Sequence, residues 1–319
     1  MTTSADVLSN TEELDNPLFV VGCARSGTGV LAKAIGLSEQ VCYVEETLLI
    51  PRYYNRRVPI TLAIQYWKRG ETLLPILKGK IRRLQETLTG SDYLLELIPA
   101  LLCYVKLKDY DLKLPAGKRL IDRYNVKLTS DDMKFARELH DKYTHLAREN
   151  IDRMLRVLFK DFQLLSGKRK ILEKTPIHAL YVGTLKRIFP KTRICFIVRN
   201  GRDVAASYML NFGEKKVHNR TIRHICRTHR RIQQIHEQLA ATNDPAFHFI
   251  QYEDMIKQPL TVIEGVFNFL DLGVSDRVRR ALVEVKPTRS NWQQLPKRKQ
   301  IYVETCLGIR RSAEIEPIA

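Results

Sequence analysis

Arg25, Ser26 and Thr28 sit where an apolar run, Pro17 to Val21, gives way to a helix-like run, Val30 to Leu37. A turn in that place aims its backbone N–H groups, and the first N–H groups of the helix, at one spot. The helix dipole adds partial positive charge there. Three donor side chains in such a turn fit a phosphate or a sulfate. The nucleoside-triphosphate loop G-x-x-x-x-G-K-[ST] is not matched. Gly22 and Gly27 have its spacing, but Thr28 and Gly29 stand where Lys and Ser or Thr are required. A G-x-G-x-x-G dinucleotide fingerprint does not fit either. An ordinary strand–turn–helix corner remains open as the plainer reading.

A second strand–turn–helix unit, Arg193 to Tyr208, has a polar edge. Arg199 falls where the strand ends, and Ser207 follows within the next helix. If that helix folds back beside the strand, guanidinium and hydroxyl converge on one anion. Two anion sites at two strand ends suggest a ligand with two separated phosphates. The alternative pairs Arg199 with Asp203 and leaves Ser207 a neutral helix residue. Just upstream, Glu173-Lys174-Thr175-Pro176 ends another strand, and Pro176 opens a helix. Lys174 is then aimed at the same kind of strand-end crevice, with a surface lysine as the alternative.

The elements that must carry these residues alternate. Strand-like runs occur at Leu18–Val21, Gln40–Val44, Ile171–Glu173, Arg193–Val198 and Phe247–Tyr252. Helical patterns occur at Val30–Leu37, His178–Ile188, Asp203–Asn211, Arg220–Ala240 and Leu260–Leu270. Such alternation predicts an α/β fold, a central parallel sheet with helices on both faces, and ligands at the carboxyl ends of its strands. Residues 51–165 read instead as consecutive helices: Ile60–Lys68, Thr72–Leu88, Tyr93–Leu107, and one long helix from Asp131 to Leu165. Asp131 is placed to cap the last of these. Only Leu120–Tyr124 hints at a strand there. The expected organisation is one domain. Residues 17–50 and 166–305 form its nucleotide-binding core, and 51–165 form a helical insertion placed as an acceptor lid.

The chain has 319 residues and a formal net charge of +18. That charge admits nucleic acid, an anionic membrane or a polyanionic small ligand as partners. It gathers in runs such as Lys78–Arg83, Arg220–Arg231 and Lys297–Lys299, each also readable as a solvated helix face. No nucleic-acid-binding signature accompanies them, and no apolar run is long enough to span a membrane. The polar, acidic residues 1–16 do not resemble a signal peptide. Six scattered cysteines without a C-x-x-C pair argue against zinc and against a disulfide framework. The expected setting is the reducing cytoplasm.

Taken together, Cys23-Ala-Arg-Ser-Gly-Thr28, the Glu-Lys-Thr-Pro segment, and Val198-Arg-Asn-Gly-Arg-Asp203 with Ser207 resemble the PAPS-dependent sulfotransferases. The likeness is greatest to tyrosylprotein sulfotransferases and their bacterial relatives, through Arg25 and through Glu45-Glu46-Thr47. It covers residues 17–50 and 170–300. It implies a P-loop-like, three-layer fold, 3′-phosphoadenosine 5′-phosphosulfate (PAPS) as donor, PAP as product, and no metal. By the resemblance, Ala24, Arg25, Ser26, Gly27, Thr28 and Gly29 hold the 5′-phosphosulfate, while Arg199 and Ser207 hold the 3′-phosphate. Tyr252 lies near the nucleotide, and Lys297 and Arg298 join the donor-binding candidates. Glu46 is the catalytic base. Ser290, before Trp292, donates to the leaving phosphate. The chain departs from the family at Gly29, where a hydroxyl residue is common, and at Ala24, where proline is common.

Sulfuryl transfer needs a base, in-line geometry and charge stabilisation at the leaving phosphate, so the protein mostly positions and neutralises. Glu46 would take the acceptor proton, and Arg25, Lys174 and Ser290 would steady the transferring group and the leaving phosphate. His178 is the rival base, at a helix start where the dipole disfavours its cation. Aromatic residues of the insertion (Tyr53, Tyr54, Trp67, Tyr93, Tyr104 and Tyr124) offer walls for an acceptor. A small molecule, accepting at a hydroxyl oxygen or at an amine or carbamoyl nitrogen, is the expected acceptor, with no nucleic-acid partner. The oligomeric state is left open. The competing readings are a non-catalytic PAP- or polyanion-binding protein, a peptide tyrosine sulfotransferase, and a P-loop kinase.

Overall fold

The computed structural model describes residues 16–54, 91–107, 121, 124–212, 218–283 and 291–309. In chain order the elements are β1 (Leu18–Gly22), α1 (Thr28–Gly36), β2 (Val41–Glu45), α2 (Leu49–Tyr54), α3 (Ser91–Lys106), α4 (Ser130–Glu149), α5 (Ile151–Ser166), β3 (Lys170–Lys174), a 3-10 turn (Pro176–Tyr181) and α6 (Val182–Ile188). There follow β4 (Arg193–Val198), α7 (Gly201–Phe212), α8 (Asn219–Ala240), β5 (Phe247–Gln251), α9 (Tyr252–Lys257), α10 (Pro259–Phe269), α11 (Asp276–Val283), a 3-10 turn (Trp292–Gln294) and α12 (Lys297–Leu307). The fold is α/β with a central, parallel, five-stranded sheet. Contacts divide the chain into two units: residues 39–173 with 181–192 and the N-terminal residues, and residues 18–38 with 174–180 and 193–319.

In the first unit β2 neighbours β3. Both strands are buried along their length, as strands covered on two faces should be. Helix α3 packs on β2, and α3, α4 and α5 pack on one another. The single helix expected over Asp131–Leu165 is in fact two. Asn150 leaves the helical region for an extended conformation, and its side chain accepts from the Arg153 N–H, capping α5. Such a cap satisfies a donor that the first turn of a helix leaves unpaired. The apolar period runs unbroken past this point, which is why periodicity alone merges the two helices. Nor is Asp131 the cap of α4. Thr129 is, in a reciprocal box with Asp132. The Asp132 N–H donates to Thr129 Oγ1 at 3.2 Å. The Thr129 N–H donates back to Asp132 Oδ2 at 2.6 Å, so two orphan donors are satisfied at once. Ile121 is helical and Tyr124 lies in a turn, so neither joins a strand. The expected helices at Ile60–Lys68 and Thr72–Leu88 lie outside the described residues.

In the second unit the strand order is β1-β4-β5, with both pairs parallel; Gly22 lies opposite Ile197, and Val198 opposite Gln251. Apolar Leu18–Val21 and Ile194–Val198 are buried throughout. Helix α8 is amphipathic. It buries Ile222, Cys226, His229, Ile232 and His236 at helical spacing and turns most of its arginines outward. It packs on α7, α12, β4 and β5, and α10 packs on α1 and β5. Ala205, Ala206, Met209, Ile222, Cys226, Trp292, Leu295 and Val303 form one buried cluster beneath these helices. Strand β5 stops at Gln251, one residue short of the expected end, because Tyr252 opens α9.

Candidate functional site

The loop between β1 and α1 is shaped by two glycines. At Gly22 a Cβ would stand 2.2 Å from the Ile197 carbonyl oxygen, so only glycine lets β1 run this close to β4. Gly27 precedes α1 in the left-handed region, and a Cβ there would meet the Tyr252 ring at 2.4 Å. Between them the Ser26 N–H donates to the Cys23 carbonyl at 3.1 Å, closing a tight turn. Arg25 takes φ +73°. That left-handed conformation costs a non-glycine residue about 1–2 kcal/mol. Gly29 is different: a Cβ there meets nothing within 4 Å.

Arg199, Ser207 and Tyr252 gather around this loop. Arg25 Nε donates to Ser207 Oγ at 3.2 Å, and Arg199 Nη1 donates to the Arg25 carbonyl at 3.1 Å. The Arg199 guanidinium lies 4.2 Å from the centroid of the Tyr252 ring, a cation–π contact in a dry setting. Both Arg199 and Ser207 are buried. The next residue, Asn200, caps α7 by accepting from the Arg202 N–H at 2.9 Å, as a short amide side chain does well. Arg202 runs to the far side of α7 and pairs with Glu304 at 3.0 Å beside Trp292.

Two buried polar atoms here have no hydrogen-bond partner among the described residues: Ser26 Oγ, in a residue with no exposed surface, and Arg199 Nε. Buried donors nearly always have partners, so each such atom needs an explanation. Cys23, at the loop's start, is no nucleophile. Burial, with Cys226 alongside, pushes its thiol up to about 12, and an inert thiol is what such burial gives.

Thr28 is buried as the first residue of α1. Lys174 is buried at the end of β3, and Ala24 is exposed. Lys297 and Arg298 are exposed in the first turn of α12. His178 is fully buried in the 3-10 turn, its ring edge-on to Phe19 with centroids 6.2 Å apart. Ser290 lies outside the described residues.

Glu46 belongs to the first unit, in a different kind of turn. It is exposed, with φ +48°, and Leu48 has φ +51°. Two left-handed non-glycine residues within three positions store strain of order 1–3 kcal/mol each, which persists only where the surroundings fix it. The fixing groups are visible. The Thr47 N–H and Oγ1–H both donate to Glu173 Oε1, at 3.1 and 2.9 Å, and Glu173 has no exposed surface. Glu45 is held from its two oxygens by Tyr43 Oη at 3.0 Å and Tyr104 Oη at 3.3 Å. The residues on either side of Glu46 are thus pinned by buried carboxylate hydrogen bonds while Glu46 itself faces solvent. The sequence named Glu46 but not these supports, most of whose partners lie far away along the chain. The only local sign was the Glu before Lys174.

A profile of the sulfotransferase family matches residues 94–276. The chain belongs to the sulfotransferase family. Among solved structures it is similar to the sulfotransferase domain of the Synechococcus PCC 7002 olefin synthase, at 16% identity and TM-score 0.51, covering 97% of this chain and 92% of that one. It is similar also to a sulfotransferase domain from the curacin biosynthetic pathway, at 14% identity and TM-score 0.50, covering 96% and 95%. These likenesses show the fold of the sulfotransferase. No curated protein sequence matches it significantly. Among the described residues no helix is long and apolar enough to cross a membrane, and no cluster of three metal-ligating side chains occurs.

Proposed function

We propose that this sulfotransferase uses PAPS as donor and transfers the sulfuryl group to a hydroxyl or nitrogen of a small-molecule acceptor, with Glu46 as base. The observation that carries the reading is the pair of orphaned buried donors, Ser26 Oγ on the loop after β1 and Arg199 Nε at the end of β4, with the Arg25 side chain beside them. Those residues fit a ligand with two anionic groups. Ser26, Thr28 and the N–H groups at the start of α1 would take the 5′-phosphosulfate, with Arg25 beside them. Arg199 and Ser207 would take the 3′-phosphate, and Tyr252 would close over the loop.

The donor, when bound, supplies an activated sulfuryl group on a phosphate leaving group. The chain's own residues do the rest. Arg25 and Lys174 neutralise charge that grows on the leaving oxygens, in a buried setting where such donors count most. Glu46 Oε takes the proton from the acceptor atom as it attacks. The backbone on either side of it is fixed, and its carboxylate is open to solvent and to an acceptor. The full burial of His178 against Phe19 favours Glu46 over His178 as base. That one similar domain belongs to the curacin biosynthetic pathway supports a small metabolite as acceptor. Isothermal titration tests the donor half: PAP should bind tightly and AMP weakly, and Arg199→Ala should abolish the difference. Equal binding of PAP and AMP by the wild type would remove the reading.

A further inference from the structure

His229 belongs to none of the motifs named above. It lies on the buried face of α8 and donates Nε2–H to the Arg199 main-chain carbonyl at 2.8 Å. That carbonyl is the one where β4 has ended and α7 has not begun, since Asn200 caps α7. The backbone at Arg199 therefore lies outside both ladders and takes this bond from a side chain. The ring is held from the other side as well. A Cβ on Gly201 would stand 2.9 Å from His229 Cε1, so glycine at 201 is what lets the ring lie close against the turn. On its outer side the ring borders a cleft of about 300 Å³ shared with Arg230, Gln233, Glu237 and Leu307.

We infer that His229 is a positioning residue for the 3′-phosphate: it fixes the Arg199 backbone so that the guanidinium stays over Tyr252 with Nε free for the ligand. The inference rests on the donor reading above. An Arg199 released from this bond keeps its side chain but loses its anchor, and its Nη1 contact to Arg25 and its stacking on Tyr252 become one arrangement among several. Burial also pulls the His229 imidazole below its ordinary range, against the weaker opposing effects of the Arg199 carbonyl and Glu253. The neutral ring with its proton on Nε2 is therefore the working form, and one donor is all the bond needs.

The test compares PAP with AMP, which lacks the 3′-phosphate, by titration calorimetry on the full chain. His229→Phe keeps a flat ring and removes the donor. It should weaken PAP about five- to tenfold, the worth of one such hydrogen bond, and leave AMP unchanged. Gly201→Ala reaches the same bond by displacing the ring and should give the same selective loss, which keeps the inference testable if the Phe variant folds poorly. His229→Gln, which retains a donor, should recover part of the PAP affinity. Equal weakening of PAP and AMP in these variants, or no weakening of either while Arg199→Ala loses PAP, overturns the inference alone. A wild type that does not distinguish PAP from AMP overturns the donor reading, and the inference with it.

Discussion

Gly27 and Gly29 are two residues apart and have opposite constraints. Gly27 needs its missing Cβ twice over, for a left-handed φ and for the ring of Tyr252. Gly29 has open space and ordinary backbone. Replacing each by Ala separates the two demands. Gly29→Ala should raise thermal stability slightly, by about 0.5 kcal/mol, through the lower entropy of the unfolded chain. Gly27→Ala should cost about 1–3 kcal/mol in the same denaturation experiment and should weaken PAP binding. At Glu46 the expectation concerns rate. Glu46→Gln should lower kcat by about 10²–10⁴-fold with the KM for PAPS unchanged. His178→Ala should act on stability instead, since it empties a core site beside Phe19 and leaves a cavity there.

At the scale of elements, the turns do more than the helices and strands they join. Thr47 ties the Glu46 turn to Glu173, so Thr47→Val should remove one of the two Thr47 donors to that buried carboxylate. A several-fold loss of kcat without loss of PAP affinity, read by steady-state kinetics and calorimetry, is the expected result. Asn150→Ala removes the cap of α5. That change should cost about 1 kcal/mol in chemical denaturation. Most strands and core helices were legible within a residue or two, because Leu18–Val21, Ile194–Val198 and the α8 face show their periods plainly. The break at Asn150 was not, because polar caps leave apolar spacing intact. The site was legible in part. Arg25, Arg199, Ser207 and Tyr252 lie together; the spacing suggested the meeting of Arg199 with Ser207, and the resemblance alone suggested Tyr252. The supports did not show: Glu173 meets Thr47 across 126 residues, and His229 sits inside a basic helix that reads as solvated surface. Local pattern carries no record of such pairings.

For the whole molecule the net charge of +18 draws attention first, yet the histidines shielded from solvent in whole or in part make the sharper prediction. Desolvation lowers the pKa of His229, His236 and His248 in the folded chain. His236 lies edge-on to Phe196 and Phe249, and His248 stacks on Phe269. The unfolded chain then binds more protons than the folded one in acid. Stability is therefore full above the ordinary histidine value of 6.5 and falls as pH drops below it. Denaturation midpoints measured from pH 7.5 down to about pH 5 should decline, and His236→Phe should flatten that decline. The positive charge should draw an anionic donor such as PAPS to the protein. Salt should slow PAP association more than it slows dissociation.

Sulfuryl transfer from PAPS with Glu46 as base would leave two products that can be followed together, PAP and a sulfated acceptor. The most direct measurement incubates the protein with PAPS and a metabolite extract and follows, by mass spectrometry, which compound gains a sulfate as PAP accumulates. A sulfated product formed by the wild type, nearly absent with Glu46→Gln and retained with a stably folded His178→Ala, is the predicted result. Transfer that persists at the wild-type rate in Glu46→Gln, or PAP binding with no sulfated product across the extract, would contradict it.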